Sequence, residues 1–169
     1  FAQHRHRRHV EADLEAIEKE VEDLRAERRR RPGDAAVHLE LARKHRKLGE
    51  KNMAIQEYHV CVDADPEAYP CYLDMATLYR ELCHWDLAIR ALRRAAAIKP
   101  AEPAPRLLLG DIHYQVHNGQ QALVNYARAL ELGLDQKDRA RVEKRLAELR
   151  AGKYMIEVLP GARTPPGGD

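Results

Sequence analysis

Three prolines, Pro32, Pro66 and Pro100, stand 34 residues apart, and Leu134 holds the fourth place in the same register. A fixed period of this length, kept without insertion, limits the chain to stacked copies of one small supersecondary unit, because each copy buries its apolar face only against a neighbour. Counted from Ala35, Tyr69 and Pro103, the small residues coincide: Ala42, Ala76 and Gly110 at the eighth position, Ala54, Ala88 and Ala122 at the twentieth, Cys61, Ala95 and Ala129 at the twenty-seventh. Large apolar residues coincide too, with Leu41, Met75 and Leu109 at the seventh position and Tyr58, Leu92 and Tyr126 at the twenty-fourth. Small residues at fixed places let two helices approach closely, so each copy reads as a helix pair. The apolar spacing predicts helices over 35–48, 51–64, 70–82, 85–98, 105–117 and 119–132, with no strand. Gly49 and the Asn118-Gly119 pair are expected to supply left-handed turns inside the first and third copies.

These positional classes resemble those of the tetratricopeptide repeat family, a 34-residue helix-turn-helix unit. The resemblance covers residues 35–134 as three repeats, 35–68, 69–102 and 103–134, and implies an all-α, right-handed solenoid. The second repeat matches best: its fourth and eleventh positions are Tyr72 and Tyr79, where the first has His38 and His45 and the third Arg106 and His113. Beyond Leu134, residues 135–151 read as one more helix with Val142, Leu146 and Leu149 on one face, suited to cap the apolar end of the array. Residues 152–169 lose the helical period; the cluster Tyr154, Met155, Ile156, Val158 and Leu159 is expected either to pack under the last helix or to dock elsewhere on the array.

Residues 1–31 form a separate problem. Val10, Leu14, Ile17, Val21 and Leu24 are spaced four, three, four and three, a heptad-like seam on a very charged helix. Glu20 and Glu27 occupy places where the repeat needs small apolar residues, so this is one long helix, not a pair. Two readings compete: a cap or stalk packed on its own first repeat, or a short coiled coil with a second copy. In a parallel dimer Asp13 would face Glu18 and Glu20 would face Arg25, so charge does not choose between them.

The resemblance also implies where function lies, in a concave groove lined by the first helix of each repeat and holding a segment of a partner protein. The matching positions here are Leu39, Leu73, Leu107 and Leu108 as an apolar floor, surrounded by Arg43, Arg46, Lys47, Asp74, Thr77, Arg80, Asp111, Tyr114 and Gln115. Alternatively the leucines simply complete helix packing. No Asn stands at the sixth or ninth position, unlike family members that clamp a C-terminal carboxylate with Lys and Asn. The expected partner therefore carries apolar anchors and acidic side chains, and the chain reads as a non-enzymatic adaptor.

Other classes find less support. There is no GxSxG, no HExxH and no glycine loop that could cradle phosphate, so no catalytic residue, metal or cofactor is expected. With 29 basic against 27 acidic side chains the chain is not a general polyanion binder. The runs HRHRRH and Arg28–Arg31 are the two basic patches, separated by the acidic stretch from Glu11 to Glu27, which repels nucleic acid. His4, His6 and His9 read as part of a solvated arm, and the first patch would suit contact with an anionic membrane surface or a place just inside a membrane. The three cysteines, Cys61, Cys71 and Cys83, are an odd number, which favours free thiols and a cytoplasmic setting. Cys71 and Cys83 lie at opposite ends of one helix, roughly 18 Å apart at ~1.5 Å per residue, so only Cys61 and Cys71, flanking Pro66, can approach each other.

Overall fold

The computed structural model describes the backbone of residues 2–154 and the side chains of residues 10–154. The described residues form eight helices and no strand: α1 (Ala2–Arg30), α2 (Ala35–Lys47), α3 (Lys51–Ala64), α4 (Tyr69–Glu81), α5 (Trp85–Ile98), α6 (Pro103–Gln115), α7 (Gly119–Leu132) and α8 (Gln136–Arg150). They divide between Pro100 and Ala101 into two compact units. The side chains of HRHRRH, including His4, His6 and His9, and the tail residues Met155, Ile156, Val158 and Leu159 lie outside the described residues.

Local chemistry sets the helix ends. Asp34 accepts from the Ala36 amide ahead of α2, Asn118 from Gln121 ahead of α7 and Asp135 from Asp138 ahead of α8, each satisfying a backbone donor that the helix leaves open. Pro70 and Pro103 sit in the first turns of α4 and α6, where their missing N–H costs nothing. The turn inside each pair passes through the left-handed region at Gly49 (φ 77°), Cys83 (φ 58°) and His117 (φ 59°), again 34 residues apart. In the third copy the sequence pointed to Asn118-Gly119; the left-handed residue is instead His117, and Gly119 opens α7.

In the first unit, α2 pairs with α3 and α4 with α5. The core is built from the positions that coincide in the sequence, among them Leu41, Ala42, Ala54, Tyr58, Cys61, Met75, Ala76, Ala88 and Leu92, all 5% exposed or less. The N-terminal helix joins this core: Val21 is buried with Val37 and Leu41, and Leu24 packs against them. A polar network fastens the same contact. His38, on α2, meets the Glu57 carboxylate of α3 with Nδ1 (2.6 Å) and the Pro32 carbonyl with Nε2 (2.9 Å), and Arg28 of α1 donates to Glu57. His38 and Glu57 are buried and Arg28 reaches them from the edge at 38% exposure, so loss of either partner would leave the Glu57 carboxylate short of a donor where water does not replace it. The seam of α1 is thus divided: Val21 and Leu24 are used inside the chain, while Val10 and Leu14 are 44% and 40% exposed.

The cysteine expectation is overturned at one point. Cys61 and Cys71 are joined by a disulfide, with Cα atoms 6.4 Å apart, and Cys83 alone is free and exposed. The last turn of α3 and the first turn of α4 flank a short connection, and both residues are inward-facing, at 0% and 1% exposure. Their nearness comes from the repeat boundary, which an odd cysteine count does not register.

In the second unit, α6 and α7 pair and α8 packs on α7. Leu107, Ala122, Tyr126, Ala129, Val142, Leu146 and Leu149 share one core. Gly110 sits where a β-carbon would come within 2.5 Å of the Tyr126 ring, so the smallest side chain is needed at that eighth position. The Tyr126 hydroxyl, buried with its ring, donates to Asp111 (2.7 Å), and Arg145 donates to both. Arg141 closes the cluster on the same Asp111 oxygen (2.6 Å). After α8, Tyr154 stacks on His117 at 4.2 Å between centroids, and its carbonyl accepts from the Gly119 amide (3.0 Å).

Two outcomes follow. Tyr126→Phe leaves Asp111 buried with one donor fewer and is expected to cost roughly 1–3 kcal/mol, read as a lower midpoint in urea at unchanged slope. Alkylation of the folded, unreduced protein should modify Cys83 alone, and reduction should lower stability by about 2–3 kcal/mol, as for a short closed loop; three modified cysteines without reduction would refute the bond.

Candidate functional site

The first unit carries an open concavity of about 490 Å³, lined by Glu40, Arg43, Lys44, Arg46 and Lys47 of α2, Tyr58 of α3 and Asp74 of α4. The helical period explains the lining. Residues 40, 43, 44 and 47 recur at three and four along α2, which sets them on one face, and that face is free because the opposite one, with Val37, Leu41 and His45, is buried.

Four cations and two carboxylates share the concavity, and most are already engaged. Arg43 donates through Nε to Asp74 (2.7 Å) and through Nη1 to Glu40 (3.0 Å). Arg46 pairs with Glu81 of α4, and Lys44 with Glu20 of α1. The Arg43–Asp74 side chains are 42% and 25% exposed, so this bond is worth at most about 1 kcal/mol and exchanges readily for a ligand's carboxylate. Lys47 is exposed.

The floor differs from the sequence expectation. Tyr58, fully buried, forms the base of the concavity, and its hydroxyl has no hydrogen-bond partner. Burial first, and then the Asp74 carboxylate, push this phenol up to about 12 against the opposing pull of Arg46 and Arg43, so it keeps its proton. The expected leucines lie elsewhere: Leu39 and Leu73 are half-buried on α2 and α4, and Thr77 turns its hydroxyl back onto the Leu73 carbonyl (2.9 Å). Arg80 is half-buried on α4.

The third-repeat residues of the expected groove are a correction. Leu107 belongs to the core of the second unit, against Val142 and Leu146 of α8. Asp111 is 8% exposed and held by Arg141 and Arg145. Tyr114 donates to Glu148, and the Arg145 guanidinium lies 4.8 Å from its ring centroid. Helix α8 covers all three; Leu108 is half-buried and Gln115 exposed. The second basic patch is also spent in part, since Arg28 pairs with Glu57, and Arg31 with Glu27 and Asp34. Tyr58 was legible only as a core position. What marks it out is the residue nine places into its repeat, Arg43, where the third repeat has Asp111.

No family profile matches the chain. The mouse protein described as DnaJ homolog subfamily C member 3 is 25% identical over 133 residues, covering 76% of this chain and 26% of its own length. The rat protein of the same description is 32% identical over 79 residues, 47% of this chain and 16% of the relative. The chain therefore spans about a quarter or less of the curated relatives it matches. Among solved structures, MamA superposes with a TM-score of 0.72 at 18% identity, over 81% of this chain and 78% of that one. The first tetratricopeptide domain of Spaghetti (RPAP3), solved with the HSP90 peptide SRMEEVD, gives 0.62 at 23% over 69% and 90%. The Yersinia enterocolitica type III secretion chaperone SycD, solved with a peptide of the translocator YopD, gives 0.63 at 18% over 68% and 90%. The helix pairs, their 34-residue register and these superpositions together establish that the chain has the tetratricopeptide-repeat fold.

Proposed function

We propose that the chain is a non-enzymatic protein-interaction module that holds an extended segment of a partner protein against the face of α2 and α4 in the first unit. The concavity above Tyr58 carries this reading: it is open to solvent, cationic, and bounded by charges whose present partners, Asp74 and Glu81, are 25% and 41% exposed and weakly held. Half-buried Leu39 and Leu73 on the same two helices supply apolar anchors. That RPAP3 and SycD have been solved with peptides supports the class of ligand. Affinity comes from the apolar contacts and direction from the charges, since rim charges steer and select more than they bind. The double variant Leu73→Glu, Arg80→Glu should fold, with an unchanged helical spectrum, and should lose most of the proteins recovered by the wild-type chain in an affinity capture. An unchanged set of recovered proteins would remove the α2–α4 face from consideration.

A second role is favoured by Val10 and Leu14, which remain exposed on α1 while Val21 and Leu24 are used internally. With Ile17, half-buried between them, they form a short strip for pairing with a second copy. Light scattering should then show a dimer at high protein concentration that Val10→Glu, Leu14→Glu converts to a monomer; equal masses would rule the pairing out. The Cys61–Cys71 bond supports an oxidising compartment, where such bonds persist, in place of the cytoplasmic setting read from the cysteine count. Reactive Cys61 in protein trapped directly from acid-quenched cells would overturn that placement.

A further inference from the structure

The two units contain the same tyrosine in two different states. Tyr58 and Tyr126 both hold the twenty-fourth position of a repeat, and both are 0% exposed. The hydroxyl of Tyr126 gives its proton to Asp111, the ninth residue of its own repeat, and the next first-helix, α8, adds Arg145 at its own ninth position. Around Tyr58 the ninth residue is Arg43, a donor, and the ninth residue of α4 is Thr77, whose hydroxyl is bonded to the Leu73 carbonyl. Asp74 lines the same concavity, yet no hydrogen bond joins it to Tyr58, and its Oδ2 accepts from Arg43 Nε. The first unit thus gathers cations beside its phenol as the second does, from other positions of the repeat, but its carboxylate sits on Arg43 and not on the phenol. What is left is a buried phenol whose proton has no acceptor, at the base of a concavity rimmed by Arg43, Arg46 and Lys47.

A buried hydroxyl without an acceptor is costly and uncommon in a native structure, and here the tyrosine that carries it lines a concavity of about 490 Å³. We infer that this concavity receives the carboxylate side chain of a Glu or Asp in the bound partner segment, which accepts from Tyr58 Oη and pairs with the surrounding guanidiniums as Asp111 does at Tyr126. The inference rests on the interaction reading above and deepens it: it fixes one residue of the partner as acidic and names the group that selects it. A carboxylate is chosen over a neutral amide because an ionised acceptor forms the stronger bond to a phenol and gains from the adjacent arginines. Tyr58 is here a specificity-determining residue, since both Glu and Gln could fill the space while only the charged group meets all the donors.

The test uses a positional-scanning library of N-acetylated, C-amidated nonapeptides with fixed leucines, read by fluorescence polarisation against the full chain. Amidation leaves side chains as the only carboxylates. One position should prefer Glu or Asp over Gln or Asn by about ten-fold, and Tyr58→Phe should reduce that preference to about two-fold while still binding the leucine-bearing peptides, as expected for loss of one charge-assisted hydrogen bond. A ligand-free measurement is independent of any peptide: Tyr58→Phe removes no bond to an acceptor and should lower the melting temperature less than Tyr126→Phe does. An acid preference unchanged in Tyr58→Phe, or a melting temperature lowered as far as by Tyr126→Phe, overturns the subsite. Library binding that responds to Leu73→Glu without any acid preference leaves the interaction reading standing and removes this subsite alone. No binding by the wild-type chain removes both.

Discussion

The constraint on which both units depend is that a phenol ring has to be buried where helices of a pair meet, and its hydroxyl goes in with it. The ring supplies much of the apolar contact that a helix pair needs, and its neighbour must be small: at Gly110 even a methyl group would collide with Tyr126. The hydroxyl then sets a second requirement, an acceptor in a place water does not reach. In the second unit the chain supplies that acceptor from Asp111 and pays for the buried carboxylate with two arginines of α8. In the first unit it supplies none. The difference leaves one phenol bonded within its own unit and the other without an acceptor.

The first and last helices close the two units by the same means, an apolar stripe with a charged lock beside it. On α1 the stripe is Val21 and Leu24 and the lock is Arg28 on Glu57 and His38. On α8 the stripe is Val142, Leu146 and Leu149 and the lock is Arg141 and Arg145 on Asp111. Ion pairs in such places add little net stability, because desolvation consumes most of their attraction, yet losing one partner is expensive. They therefore fix which helix sits where more than how strongly it is held.

The fold was legible in the sequence because the repeat fixes α2 to α7 twice, once by their own apolar spacing and again by their equivalents 34 residues away. Three features resisted. Cys61 and Cys71 lie ten residues apart across a repeat boundary, and composition weighed against a bond that the register brings within reach. Leu107, Asp111 and Tyr114 occupy groove positions by number, but the stripe on α8 was read only as a cap, without extending the register past Leu134 to see that Arg141 and Arg145 would meet Asp111. Tyr58 looked like core and is core; its unmet hydroxyl depends on the charge at position 43, which a pattern of apolar and small residues does not encode.

The sign of the charge at the ninth position sets the first copy apart from the third. Arg43 is answered by Asp74 in the helix that follows, and Asp111 by Arg141 in the helix that follows it. If the first copy were placed ahead of α8, Arg43 would confront Arg141 and Arg145. If the third were placed ahead of α4, Asp111 would confront Asp74. The first and third modules look alike in outline, but each is keyed to its successor, while the second carries the neutral Thr77 at that place, so exchanging the first and third by recombination would bring like charges together at the joint.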